Sequence, residues 1–187
     1  IIVAVPRIFE KVYSAIFAQL GYNIFRTQVF QRALKVGQAF GQLKLDRKPI
    51  PWKLFLEYQV AQKLVLHKVR DAFGGRLRFA VSGGAPIAKD VALFFNSCGI
   101  VILEGYGLTE TTAAICANTP FNYHFGSVGR PIGDVQIKIA EDGEILIKSK
   151  KVMREYYKDP ESTEKSFTNG WFHTGDIGEL LPSGDLK

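Results

Sequence analysis

Apolar residues in the first third of the chain recur at helical spacing. Ile8, Val12, Ile16 and Leu20 fall four residues apart, with Phe9, Tyr13 and Phe17 in the adjacent row. This spacing predicts a helix with one wide apolar face, stopped by Gly21. A second helix is predicted from about Ile24 to Phe40. Pro49 and Pro51 make Asp46–Pro51 a loop, because two prolines one residue apart do not fit a helix interior. Trp52, Phe55, Leu56, Val60 and Leu64 mark a third helix, ending before Gly74-Gly75. The pattern then changes. Leu77–Val81 is a short β-type run, followed by Ser82-Gly83-Gly84-Ala85-Pro86, a helix over about Ile87–Ser97, and a four-residue apolar strand, Ile100–Leu103. Strand, glycine turn, helix and strand make a βαβ unit with parallel strands. After Asn118 the reading is all β. Thr119–Asn122 is a loop, and Val135, Ile137 and Ile139 alternate with polar residues. Asp142-Gly143 turns the chain, and Ile145 and Ile147 alternate again, as in a hairpin with one wet face. Asp159-Pro160 starts a short helix carrying Phe167, and Asn169-Gly170 is a turn. The predicted class is α/β: a parallel βαβ layer with a helical insertion over 1–122, then a smaller antiparallel β subdomain over 123–187.

Composition sharpens this picture in two ways. The 187 residues are 47% hydrophobic and 22% charged, which suits a packed core, and no apolar run is long enough for a membrane span. The net charge of +6 is uneven: residues 1–78 hold 14 Lys/Arg against 4 Asp/Glu, and residues 79–187 hold 10 against 14. The basic part suits a membrane surface, nucleotide phosphates or solvated helix faces. No nucleic-acid motif accompanies it, and its aromatics fall at helical spacing rather than on a strand platform, so no nucleic-acid partner is expected. Cys98 and Cys116 lack zinc or CxxC spacing and read as reduced core thiols of a cytoplasmic protein. Peripheral membrane contact stays open.

The candidate chemistry centres on Ile100–Asn118. The apolar strand is interrupted at Glu104-Gly105-Tyr106-Gly107 and followed by Leu108-Thr109-Glu110-Thr111-Thr112, a hydroxyl cluster around one carboxylate. Glycine lets backbone N–H groups approach an anion, hydroxyls donate to phosphate oxygens, and a carboxylate can hold Mg²⁺. The ordinary alternative is a strand-to-loop turn with a surface Thr-Glu pair. Ser82 does not match a hydrolase nucleophile elbow, which needs a glycine both two before and two after the serine, because Ala80 stands two before it.

Four motifs, in order, then point to one family. Tyr106-Gly107-Leu108-Thr109-Glu110 resembles the Y-G-x-T-E signature of the acyl-adenylate-forming enzymes. Ser82–Pro86 resembles their S-G-G-A-P element, Gly126–Pro131 their G-S-V-G-x-P run, and Trp171–Asp176 their W-x-x-T-G-D motif. Val5-Pro6-Arg7-Ile8-Phe9-Glu10-Lys11-Val12 resembles a segment of the long-chain fatty acyl-CoA synthetases, in which a helical insertion follows. The chain is similar to the middle and end of the large N-terminal domain. The resemblance places a triphosphate loop before Ile1, and a hinge and C-terminal domain with a catalytic lysine after Lys187. One departure is Glu155, where a glycine is usual before Tyr156-Tyr157.

The resemblance implies an AMP-forming ligase: ATP and a fatty acid give acyl-AMP, and CoA then takes the acyl group. Thr109 would donate to the α-phosphate and Glu110 would hold Mg²⁺. Gly83, Gly84, Ala85, Pro86, Glu104, Gly105, Tyr106, Gly107 and Leu108 would line the nucleotide, with Tyr106 against the adenine. Asp176 would accept from the ribose hydroxyls. An aryl or short-chain acid, or a non-catalytic nucleotide- or lipid-binding fragment, are the alternatives. No role falls to His67, His124 or His173.

Overall fold

A computed structural model describes residues 1–20 and 24–187. The helix stop assigned to Gly21 lies outside the described residues. The chain divides into two compact units, Ile1–Leu103 and Glu104–Lys187. The architecture is α/β, with parallel pairing in the first unit and antiparallel sheets in the second.

In the first unit β1 (Ile2–Ala4) pairs in parallel with β2 (Phe79–Ser82), Ile2 opposite Ala80. Between them run α1 (Pro6–Leu20), α2 (Ile24–Leu45), α3 (Trp52–Ala61) and α4 (His67–Ala72). A π-helical turn, Gln62–Leu66, joins α3 to α4, so the third helix is continuous as the spacing predicts. α5 (Lys89–Ser97) follows β2. It starts two residues later than expected. α2 runs five residues past Phe40.

The aromatic row of α1 faces inward. Phe9 packs edge-on against Phe95, Tyr13 against Phe94, and Phe17 against Phe30. Ring edges are positive and faces negative, so such T-shaped pairs are favourable beyond their buried area. The other row stays outside: Ile8 is exposed, and Val12 and Ile16 are half-buried. α2 and α5 approach closely because Gly37 has no side chain; a Cβ there would sit 2.5 Å from Ser97 O. Cys98 and Cys116 are buried and unbridged, and burial pushes both thiols up to about 12.

The second unit has two antiparallel layers. β3 (Val101–Leu108) enters it and pairs with β4 (Ala113–Ala117), which pairs with β5 (Arg130–Pro131). The four-strand sheet has the order β6 (Gln136–Ile139), β7 (Glu144–Lys148), β9 (Trp171–Ile177), β8 (Phe167–Thr168). The β6–β7 hairpin turns at Asp142-Gly143 as expected. Ile115, Cys116, Val135, Ile145, Ile147 and Leu186 form the core of this unit.

Three expectations are corrected here. β3 does not stop at Leu103 but continues through both glycines to Leu108. Phe167 is on β8, because α6 (Pro160–Lys165) ends before it. The third concerns His124, to which the sequence assigns no role but which has a structural one: its Nδ1 lies 2.9 Å from Asp185 Oδ2. Asp185 is fully buried; Ser183 Oγ donates to it at 2.5 Å and Arg130 Nε lies 3.6 Å away. A buried carboxylate needs such partners to offset its lost hydration.

Candidate functional site

The site is built at the bend between β3 and β4. The pairing register shifts between Tyr106 and Gly107, a bulge that re-aims the strand. Gly107 is required there, since a Cβ would fall 2.1 Å from Ala113 O. Thr109–Thr111 then form a single 3-10 turn. Buried Thr111 closes it: Leu108 N donates to its Oγ1 at 2.9 Å, and that hydroxyl lies 3.0 Å from the carbonyls of Leu108 and Ala113. Thr112 (φ 52°) and Ala113 (φ 81°) leave the turn in the left-handed region, which is costly for residues with a Cβ. The strand therefore delivers Thr109 exposed and Glu110 partly exposed at the tip.

Two side chains far along the sequence meet this bend. Tyr106 Oη donates to Asp176 Oδ2 at 2.6 Å, across 70 residues. Burial, and then this bond to a carboxylate, raise the Tyr106 hydroxyl well above its ordinary value, so it remains a donor. Asp176 is held in turn by its motif: Thr174 Oγ1 accepts from Asp176 N at 3.1 Å and donates to Ile145 O at 2.7 Å. The second contact is at Glu110, where Tyr156 Oη donates to Oε1 at 3.0 Å and Met153 N donates to the Glu110 carbonyl at 2.6 Å. Burial and the Glu110 carboxylate raise Tyr156 as well.

Tyr106, Glu110 and Asp176 thus belong to one connected region of the second unit. Glu104 is buried at the entry to the bend, and its carbonyl accepts from Asn118 N at 2.9 Å. Gly105 and Leu108 are half-buried on β3. Gly83, Gly84, Ala85 and Pro86 belong to the first unit. They form the loop after β2, with Gly84 at φ +83°. The Ser82 hydroxyl at the head of that loop is buried, with no hydrogen-bond partner among the described residues.

Two participants escaped sequence reasoning. Glu144 on β7 accepts Gly175 N at 2.8 Å with one oxygen and sits 2.7 Å from His173 Nδ1 with the other. It fixes the stretch of β9 that carries Asp176. Tyr156 fixes Glu110. Neither position belongs to a quoted motif core, and each finds its partner only after the β-strands pair.

Among the described residues no three His, Cys, Asp or Glu cluster to hold a metal. Glu110 offers one carboxylate with Oε1 already taken by Tyr156. Such a set suits Mg²⁺, which commonly uses one or two carboxylates and completes its shell with phosphate oxygens and water.

Comparison with known proteins decides the family. The family described as AMP-binding enzyme matches residues 1–157. The chain is a member of the AMP-binding enzyme family. It is 36% identical over 186 residues to the long-chain-fatty-acid–CoA ligase FadD15 of Mycobacterium bovis, covering 100% of this chain and 31% of that protein. The chain thus spans about a third of that relative's length. Among solved structures it is similar to the N-terminal domain of FACL13 from Mycobacterium tuberculosis, with TM-score 0.54 and 30% identity, covering 65% of this chain and 36% of that one. It is also similar to o-succinylbenzoate coenzyme A synthetase from Bacillus subtilis in complex with ATP and magnesium ion. There the TM-score is 0.54 and the identity 28%, over 64% and 29% of the two chains.

Proposed function

We propose that this chain is the nucleotide-binding part of a long-chain fatty acid–CoA ligase. That enzyme activates the acid with ATP to acyl-AMP and passes the acyl group to CoA. The observation that carries the reading is the Tyr106–Asp176 hydrogen bond, which ties two motifs 70 residues apart into one region beside Glu110. The relative from Mycobacterium bovis supports the substrate class, and the ATP–magnesium complex of the Bacillus subtilis protein supports the nucleotide.

Each residue then has a chemical task. Tyr106, tethered through its hydroxyl, presents a ring face of fixed orientation on which a purine can stack. Asp176 has about four lone-pair sites, and Tyr106 uses one, so both ribose hydroxyls can still donate to it. The Thr109 hydroxyl, exposed at the tip of the turn, donates to an α-phosphate oxygen, where negative charge builds as the carboxylate attacks and pyrophosphate leaves. Glu110 would hold Mg²⁺, with Tyr156 keeping its carboxylate in one orientation. The ion, when bound, neutralises phosphate charge. Gly83–Pro86 are assigned to the adenine by resemblance alone.

The test uses the full-length protein. Glu110→Ala should lower fatty-acid-dependent ATP–pyrophosphate exchange by about 10²–10³-fold, the usual cost of one electrostatic group at a reacting centre. Exchange at the parental rate would refute the metal assignment. Substrate class is read by comparing palmitate with o-succinylbenzoate and benzoate. Faster exchange with the aryl acids would favour the aryl reading, which the Bacillus subtilis neighbour supports.

A further inference from the structure

Asp176 does not stand in a regular ladder. On β9, His173 pairs with Leu146 of β7, and Ile177 pairs with Glu144. One residue of β7, Ile145, therefore lies opposite three of β9, Thr174–Asp176. Gly175 carries the chain through this bulge at φ 73°. A bulge re-aims a side chain but leaves backbone groups without ladder partners. Here side chains supply them. Gly175 N donates to Glu144 Oε1 at 2.8 Å, and Asp176 N donates to Thr174 Oγ1 at 3.1 Å.

The Glu144 carboxylate is itself held. Its Oε2 lies 2.7 Å from His173 Nδ1, and His173 Nε2 lies 3.0 Å from Thr168 Oγ1. β9 runs between β7 and β8, so the imidazole reaches from Glu144 on one neighbouring strand to Thr168 on the other. An ionised carboxylate only accepts, so Nδ1 carries the proton, and Nε2 of the neutral ring accepts from the Thr168 hydroxyl. The Glu144 side chain is only 17% exposed, so water replaces a lost partner poorly. Every bond in this staple is internal to the second unit.

We infer that Glu144 and His173 are positioning residues for nucleotide recognition. Through Gly175 they fix the bulge of β9, and the bulge fixes the direction of the Asp176 carboxylate, which Tyr106 Oη also holds at 2.6 Å. The inference rests on the reading of Asp176 as the acceptor of the ribose hydroxyls. Two hydroxyls on one ribose need two acceptor directions at once, and hydrogen bonds weaken steeply off their preferred angles. Without the staple the carboxylate keeps Tyr106 but moves with a loosened backbone, and small misplacements at a binding group are costly.

The test compares Glu144→Ala, His173→Phe and His173→Asn in the full-length protein. Pyrophosphate exchange at varied ATP gives KM and kcat, and titration calorimetry gives the Kd for ATP. Ribose contacts are made in the ground state and the transition state alike, so their loss raises KM and leaves kcat. Glu144→Ala and His173→Phe should raise KM and Kd about tenfold, the scale of losing one hydrogen bond to a charged group, with kcat within about twofold. His173→Asn keeps a donor where Nδ1 stood, so its ATP affinity should stay within about threefold of the parent. In an Asp176→Ala background, Glu144→Ala should add nothing, because it acts through that carboxylate. Unchanged ATP affinity in Glu144→Ala and His173→Phe would overturn the inference. So would a lowered kcat at unchanged KM, which a merely structural role produces by reducing the folded fraction, or a full additive effect on top of Asp176→Ala. If Asp176→Ala weakens ATP binding and neither Glu144→Ala nor His173→Phe does, the staple is refuted and the ribose assignment stands. If Asp176→Ala is also without effect, both fall.

Discussion

Order in residues 1–103 is kept by rings, and in residues 104–187 by polar bonds between distant side chains. The first unit interlocks Phe9, Tyr13, Phe17, Phe30, Phe94 and Phe95, most of them edge to face. The second holds Asp176 through Tyr106 and Thr174, Glu110 through Tyr156, and the adjoining Gly175 of β9 through Glu144. Ring packing tolerates small shifts and gives bulk stability. Hydrogen bonds have narrow distance and angle requirements and give position. The difference explains why the candidate chemistry lies on the polar network: a nucleotide is read by donors and acceptors, and these must not drift.

Substitutions can break this comparison, and the largest effect belongs to the rings. Phe95 is fully buried between Phe9, Phe73 and Phe94. Phe95→Ala should destabilise by about 3–5 kcal/mol in denaturant unfolding, the range for truncating a core aromatic. A loss below 1 kcal/mol would mean that the ring cluster does not hold the unit. Next comes Gly107→Ala, whose new methyl would meet the Ala113 carbonyl at 2.1 Å. Forced overpacking costs about 1–3 kcal/mol, and exchange activity should fall with it because the bend carries Thr109 and Glu110. Unimpaired activity would show that the bulge does not set the site.

Smaller effects sharpen the contrast. Tyr106→Phe keeps the ring and removes the bond to the half-buried Asp176 carboxylate, so thermal unfolding should register about 1.5 kcal/mol, the low end for a hydrogen bond to a charged group. Its pH dependence has a definite sign. Burial and Asp176 raise the folded-state value of the hydroxyl above its ordinary 10.0. The stabilisation from the neutral phenol is therefore full below that ordinary value and is lost as pH rises through the folded one. Above pH 10 the parent protein should lose stability more steeply than Tyr106→Phe, as measured by urea midpoints. Parallel curves would contradict the buried hydrogen bond.

The sequence made α1 and α3 legible because their apolar residues recur at helical spacing, and the hairpin legible because Asp142-Gly143 sits between alternating strands. It did not reveal which row of α1 faces inward, since Ile8–Val12–Ile16 and Phe9–Tyr13–Phe17 are equally apolar. β3 was read as ending at Leu103 because glycine usually weakens a strand; here a bulge keeps Gly105 and Gly107 within the ladder. Tyr106, Glu110 and Asp176 were legible through motif resemblance, and the structure brings them into one region. Glu144, Tyr156 and the Asp185–His124 pair were not, because pairing across 29, 46 and 61 residues leaves no local pattern.

Titration calorimetry of ATP against the full-length protein and its Asp176→Ala variant is the most direct measurement. If the second unit reads the ribose through this carboxylate, the variant should bind ATP about tenfold or more weakly, since hydrogen bonds to a charged group contribute about 1.5–3 kcal/mol, with its fold intact by circular dichroism. An unchanged dissociation constant would contradict the account.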